Sequence, residues 1–193
     1  MKLVRSVLLS SLLALVACAS AEKAARGSAP KAEGPGGVAR YYPLGVGNEW
    51  TYELDARGQK KRDTIKIVQK DGPWFVDDHK GRLRIDGEGL RDADRYLLRG
   101  PLETGSKWTA VEDLVVQKFE IVGSDVSEST PAGTFAHCVT VRNEQPLGQG
   151  HGKFITEWTY APGVGLVKMK TSVDDGGKSV PQMSLSLIEF RVR

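Results

Sequence analysis

The side chains that could do chemistry in this sequence are few and widely spaced. Histidine occurs at 79, 137 and 151, and cysteine at 18 and 138. No two histidines stand four residues apart on a helix face or form a short His-x-His pair, so the short-range patterns of a zinc site are absent. Asp77-Asp78-His79 offers oxygen and nitrogen donors in a row, but Lys80-Gly81 follows at once, and a polar run before glycine is what a turn requires. Asp92-x-Asp94 and Asp86-Gly87-Glu88 lack the ordered oxygen ligands of a calcium loop. Gly148-Gln149-Gly150-His151-Gly152 has no Lys-Ser or Lys-Thr after it and no helical pattern, so it reads as a hairpin connection rather than a phosphate loop. No Gly-x-Ser-x-Gly elbow occurs. His137 adjoins Cys138, yet neighbours in a strand point to opposite faces, and an inert buried thiol is expected in place of a Cys-His nucleophile. The expectation is a non-enzyme without catalytic residues, metal or cofactor.

Aromatic side chains are the remaining candidates. In a β domain Trp50, Trp74, Trp108, Trp158 and the five tyrosines mostly fill the core. If the domain holds a small apolar ligand, Trp50, Trp108, Trp158 and Tyr160 are the residues expected to line its cavity.

The elements that carry these residues are strands. Trp50, Tyr52 and Leu54 alternate with Thr51, Glu53 and Asp55; Ile65 and Ile67 with Thr64 and Lys66; Phe119 and Ile121 with Lys118 and Glu120; Phe154, Trp158 and Tyr160 with Lys153, Glu157 and Thr159. Period two marks strands with one buried and one wet face. Turn signals fall between the runs at Ala56-Arg57-Gly58, Asp71-Gly72-Pro73, His79-Lys80-Gly81, Asp86-Gly87, Pro131-Ala132-Gly133 and Asp174-Asp175-Gly176-Gly177. Met183, Leu185 and Leu187 share one parity while Ile188, Phe190 and Val192 share the other, which predicts a β-bulge near Leu187 or Ile188. The fold class is therefore all-β, an antiparallel meander forming a barrel-like or sandwich domain over residues 41–193.

Sliding the sequence by 58 residues places 43–51 (PLGVGNEWT) on 101–109 (PLETGSKWT), with Pro, Leu, Gly, Trp and Thr matching. Each copy reads as a loop-to-strand corner in which Gly permits a tight approach and Trp buries a ring at the start of a strand.

The N-terminus carries an address. Met1, Lys2 and Arg5 precede a twelve-residue apolar stretch, Val7 to Cys18, which is too short for the roughly twenty residues of a membrane-spanning helix. Its end, Leu15-Val16-Ala17-Cys18, resembles the bacterial lipobox. That resemblance implies a signal peptide over residues 1–17, diacylation of the Cys18 sulfur, acylation such as palmitate on the new amino group, and a membrane contact through lipid alone. Ala19 is not the Asp that retains enteric lipoproteins at the inner membrane, so the outer membrane is the expected address. General signal peptidase cleavage, yielding a secreted or periplasmic protein, is the alternative. Residues 18–40 hold the lipidated cysteine and a segment rich in Ala, Gly, Ser, Pro, Lys and Glu that reads as a flexible linker.

The chain has 27 basic and 24 acidic residues, but residues 41–193 hold 21 and 22. This even balance carries no basic field for nucleic acid and no polybasic run for anionic lipids. Tyr41–Tyr52 (YYPLGVGNEWTY), Thr130-Pro131-Ala132-Gly133-Thr134-Phe135 before Cys138, and Tyr160-Ala161-Pro162-Gly163-Val164-Gly165-Leu166-Val167 together resemble a broad group of uncharacterised bacterial envelope lipoproteins with a β-rich domain. The resemblance implies a lipid-anchored envelope protein that contacts other envelope proteins or wall components. A carrier or sensor of an apolar or aromatic ligand is the second expectation.

Overall fold

The structure, a computed structural model, describes residues 34–112, 114–148 and 152–193. Period-two alternation becomes strand throughout. One short helix, α1 (Gly34–Tyr41), precedes β1 (Glu49–Ala56), β2 (Gln59–Asp71), β3 (Trp74–Asp77), β4 (Arg82–Ile85), β5 (Gly89–Arg91), β6 (Tyr96–Arg99), β7 (Lys107–Glu112), β8 (Val115–Thr130), β9 (Gly133–Pro146), β10 (Lys153–Ala161), β11 (Gly165–Asp175) and β12 (Lys178–Arg191). All six turn signals fall between strands. Every ladder is antiparallel, and the order across the single sheet is β6-β5-β4-β3-β2-β1-β12-β11-β10-β9-β8-β7.

The ends of this order meet through side chains. Trp108 Nε1 donates to the Tyr96 carbonyl at 3.0 Å, and Arg95 Nη1 donates to Glu112 Oε2 at 3.1 Å and Gln117 Oε1 at 2.9 Å. These bonds draw β6 to β7 and leave a nearly closed barrel. The antiparallel order sets the hairpin tips of β1–β2, β7–β8, β9–β10 and β11–β12 at one end, called here the open end. The β8–β9 and β10–β11 turns and the chain's last residues lie at the other.

The repeated corners have the same geometry. Gly47 N donates to the Ile67 carbonyl and Gly105 N to the Ile121 carbonyl, both at 2.8 Å. Asn48 N reaches Gly45 O as Ser106 N reaches Glu103 O, and Ile67 N reaches Asn48 O as Ile121 N reaches Ser106 O. Gly47 and Gly105 share a left-handed φ of 92° and 94°, which a side chain would disfavour. Each tryptophan then sits opposite an apolar partner, Trp50 across from Ile65 and Trp108 across from Phe119. In the last strand Glu189 pairs with Thr51 but Leu187 pairs with Tyr52, so Ile188 is the extra residue that changes parity, where the pattern predicted a bulge.

One boundary needs correcting. The linker was expected to run through residue 40 and the domain to begin at Tyr41, yet α1 belongs to the fold and Val38 has no exposed surface. Its average composition hides an apolar cluster: Val38 and Tyr41, at i and i+3 of the helix, and Tyr42, just beyond its end, are all buried. Gly163 N donates to the Arg40 carbonyl at 2.6 Å, and the Tyr41 hydroxyl to the His137 carbonyl at 2.9 Å. Residues 1–33, with Cys18 and most of the expected linker, lie outside the described residues.

Trp50 and Trp108 are 1% and 5% exposed. Truncation of either to Ala is expected to cost about 3–5 kcal/mol in urea unfolding. Val38→Asp is expected to lower the midpoint as well, by placing an unpaired charge in the core; an unchanged midpoint would return the boundary to Tyr41.

Candidate functional site

The expected site aromatics fall into two separate ring clusters. Trp50 and Tyr160 belong to a plug at the closed end, where Tyr42 lies 5.3 Å from the Trp50 ring and 6.4 Å from Tyr160. Trp50 Nε1 donates to the Val164 carbonyl at 2.6 Å and the Tyr52 hydroxyl to the Leu166 carbonyl at 3.0 Å. Trp108 and Trp158 flank Phe119 elsewhere, with ring centroids at 5.5 and 6.3 Å. Trp50, Trp108 and Tyr160 are buried core; Trp158 alone of the four keeps part of its surface in solvent.

Trp158 stands in a cross-strand row. Register aligns Leu54, Leu185, Met169, Trp158, Val141 and Ile121 on the core-facing side. Val141 and Ile121 are fully buried, while Leu54, Leu185, Met169 and Trp158 are half-buried. One step nearer the open end the row reads Met183, Thr171, Thr156, Asn143, Phe119 and Trp108. Its polar members are buried; Asn143 Nδ2 donates to the Lys118 carbonyl at 2.9 Å. The open half of the sheet thus offers an apolar surface incompletely covered by the fold.

The other face carries charge. A cleft of about 870 Å³ over β7 to β10 is lined by Arg99, Lys107, Lys118, Arg142 and Lys153 against Glu120 and Glu144. Lys107 pairs with Glu120 at 3.3 Å, Lys153 with Glu144 at 2.9 Å and Arg142 with Glu157 at 2.6 Å. Such exposed pairs contribute little stability. The even charge count of the domain also conceals a basic hairpin: Arg57, Lys60, Lys61 and Arg62 are all exposed at the β1–β2 tip. This corrects the expectation that no polybasic run is present. The signal, RGQKKR, is legible in the sequence once the hairpin gathers it.

The other chemistry-bearing groups are engaged or sealed. Asp77 Oδ1 accepts from the backbone N of His79 at 2.9 Å and of Gly81 at 2.7 Å, so Asp77-Asp78-His79 is a turn. His137 and Asp125 take left-handed φ values of 58° and 63° at register breaks in β9 and β8, and the imidazole Nδ1 contacts Asp125 Oδ1 outside the barrel. Cys138, next in sequence, is fully buried and has no disulfide partner among the described residues. Its Sγ lies 3.4 Å from the Phe135 carbonyl. Burial pushes its pKa up to about 11, outweighing the backbone hydrogen bond that lowers it. His151 lies outside the described residues, although Leu147 N donates to the Gly152 carbonyl at 2.9 Å and closes that hairpin.

No protein-family model and no curated protein matches the sequence. Similar solved structures include one described as an exported protein with a YmcC-like fold from Bacteroides fragilis, at 16% identity and a TM-score of 0.49 over 78% of this chain and 98% of that one. Another, described as a lipoprotein from Parabacteroides distasonis, has 13% identity and a TM-score of 0.44 over the same shares. Neither similarity is close enough to carry a function across.

Cys138 is expected to react slowly with a thiol reagent in the folded protein and rapidly in denaturant. The folded thiol keeps its proton to about pH 11, whereas an unfolded one loses it near 9, so between those values the native state binds more protons and stability falls as pH rises. Burial holds the Tyr42, Tyr52 and Tyr160 hydroxyls well above their ordinary range, with the same sign at higher pH. A urea midpoint that is flat or rising above pH 9 would contradict this.

Proposed function

We propose that this is a lipid-anchored bacterial envelope protein, held through Cys18 at the outer membrane, whose β domain works by contact with other envelope components rather than by catalysis. The observation that carries the contact role is the open end, where Val111, Leu114, Val115, Val116, Leu147 and Val180 are all exposed. These are six of the nine large apolar side chains exposed among the described residues, and such a concentration marks an interaction surface. The anchor rests on the Leu15-Val16-Ala17-Cys18 ending after a twelve-residue apolar stretch. Cys18→Ser is expected to release the protein from the membrane fraction; wild-type recovery with membranes after a salt wash would defeat the anchor.

A second reading, a carrier of an apolar ligand, is favoured by the half-buried row Leu54, Leu185, Met169 and Trp158. A fatty acid bound there is expected to shift tryptophan emission saturably, and Trp158→Phe is expected to remove the shift without lowering the unfolding midpoint. Absence of any shift leaves the contact role alone.

A further inference from the structure

We infer that the open end of the barrel docks on an anionic lipid bilayer, the apolar β7–β8 hairpin entering the headgroup boundary while the basic β1–β2 hairpin lies over lipid phosphates. The inference deepens the proposed contact role by naming its partner, and it rests on that reading.

The β7–β8 tip is built against the usual chemistry of turns. Leu114 is 97% exposed and holds a left-handed φ of 65°, a place that Gly or Asn ordinarily fills. Val111, at 66%, and Val116, at 56%, stand opposite each other in register just below it, on the same outer face. An apolar cluster on a protruding hairpin is costly in water and favourable in the boundary between headgroups and acyl chains.

Charge selects the kind of surface. Among the described residues, Lys61 and Arg62 have no carboxylate within 4.0 Å, and Arg57 donates only to the neutral Gln182, at 3.1 Å. Two carboxylates near the same end are paired with cations, Glu53 with Lys60 at 2.8 Å and Glu112 with Arg95 at 3.1 Å, while Asp55 and Asp174 accept only from the backbone N of Gly58 and Gly177 and keep their charge. Asp63 and Asp175 also stand at this end without a Lys or Arg partner among the described residues, and Asp113 lies there in sequence. Within residues 55–63 Arg57, Lys60, Lys61 and Arg62 outnumber Asp55 and Asp63, and this local excess of positive charge on the hairpin suits phosphate headgroups and does not suit a neutral apolar protein groove.

Reach allows it. The described fold begins at Gly34, the first residue of a helix whose last turn is bonded through Arg40 to Gly163 at the closed end, and Cys18 precedes Gly34 by sixteen residues. Sixteen residues can span up to roughly 55 Å, whereas the barrel wall from Gly47 to the Arg57 tip rises only about 33 Å. An acylated molecule can therefore lay its far end on the membrane that anchors it.

The test uses full-length acylated protein carrying Leu114→Cys labelled with an environment-sensitive thiol dye, a position chosen because Cys138 is sealed. It is mixed with floating vesicles of phosphatidylcholine alone or of phosphatidylcholine with phosphatidylglycerol. In the mixed vesicles the dye is expected to shift to the blue and to be quenched by a headgroup-borne quencher; in neutral vesicles it stays aqueous, as does the same dye on Glu103→Cys at the closed end. Changing Arg57, Lys61 and Arg62 together to Glu is expected to lower the ratio of docked to undocked protein on the order of a hundredfold, with flotation through the lipid retained. A dye at 114 that stays aqueous while the protein floats with mixed vesicles overturns the docking and spares the anchor. Protein that floats with neither vesicle removes both, and protein that floats with mixed vesicles only, in a way the triple variant abolishes, supports docking without the anchor. A shift without vesicles that grows with protein concentration would assign the surface to a second copy, and a shift with soluble glycerol phosphate alone would assign it to a free anion; either overturns the inference.

Discussion

The indole of Trp50 is the point on which the closed end depends. Its N–H donates to the Val164 carbonyl at 2.6 Å, which fastens the first strand to a turn 114 residues away in sequence. The contact needs Gly165: a Cβ there would lie 3.2 Å from the indole nitrogen, and its φ of 117° is unsuited to a side chain. Around this bond gather Tyr42 from beyond the end of α1, the hydroxyl of Tyr52 on Leu166, and Gly163 bonded to the last turn of the helix. A buried indole left without an acceptor would cost about 1–3 kcal/mol, so ring, turn and helix form one assembly.

The second corner solves the same problem with a different partner. Trp108 has no turn above it and gives its N–H to the Tyr96 carbonyl on β6, the far edge of the sheet. In the first copy the tryptophan secures a plug; in the second it secures a seam. One local motif serves both because the corner fixes only where the ring enters the core, not what receives its N–H.

The strands were plain in the sequence because one wall of the barrel is wet and the other dry, and that contrast is written residue by residue from Glu49 onward. The bulge at Ile188 was equally plain, since a parity change inside one apolar run has few other remedies. What escaped was information spread over three or four residues in a polar setting. Val38 and Tyr41 on α1 and Tyr42 just beyond it form an apolar cluster too small to lift the mean hydropathy of their segment, and the turn bonded to that helix, at Gly163, is far along the sequence. The candidate surface escaped for a different reason. Leu114-Val115-Val116 reads as ordinary strand interior until the hairpin is seen to turn within it, and the basic character of 57–62 vanishes in a domain-wide count that sums to nearly zero. Of the four aromatics named as ligand-lining, Trp50, Trp108 and Tyr160 are buried, as their first reading as core side chains expected, and Trp158 is half-buried.

The strand order bears on how the molecule is completed. Ten of the eleven ladders join consecutive strands and can form as each hairpin emerges, whereas β1 must wait for β12, pairing Trp50 with Phe190 and offering Asn48 Oδ1 to the backbone N of Arg193. The physical edges of the sheet, β6 and β7, lie in mid-chain, and the strands nearest the chain ends lie side by side in its interior. A polypeptide delivered N-terminus first therefore holds β1 unpaired on one side until β12 has emerged. During that interval β1 presents an open edge, the condition under which strands of different chains exchange partners. Pairing with β12, rather than the formation of any single hairpin, is the event that covers this edge.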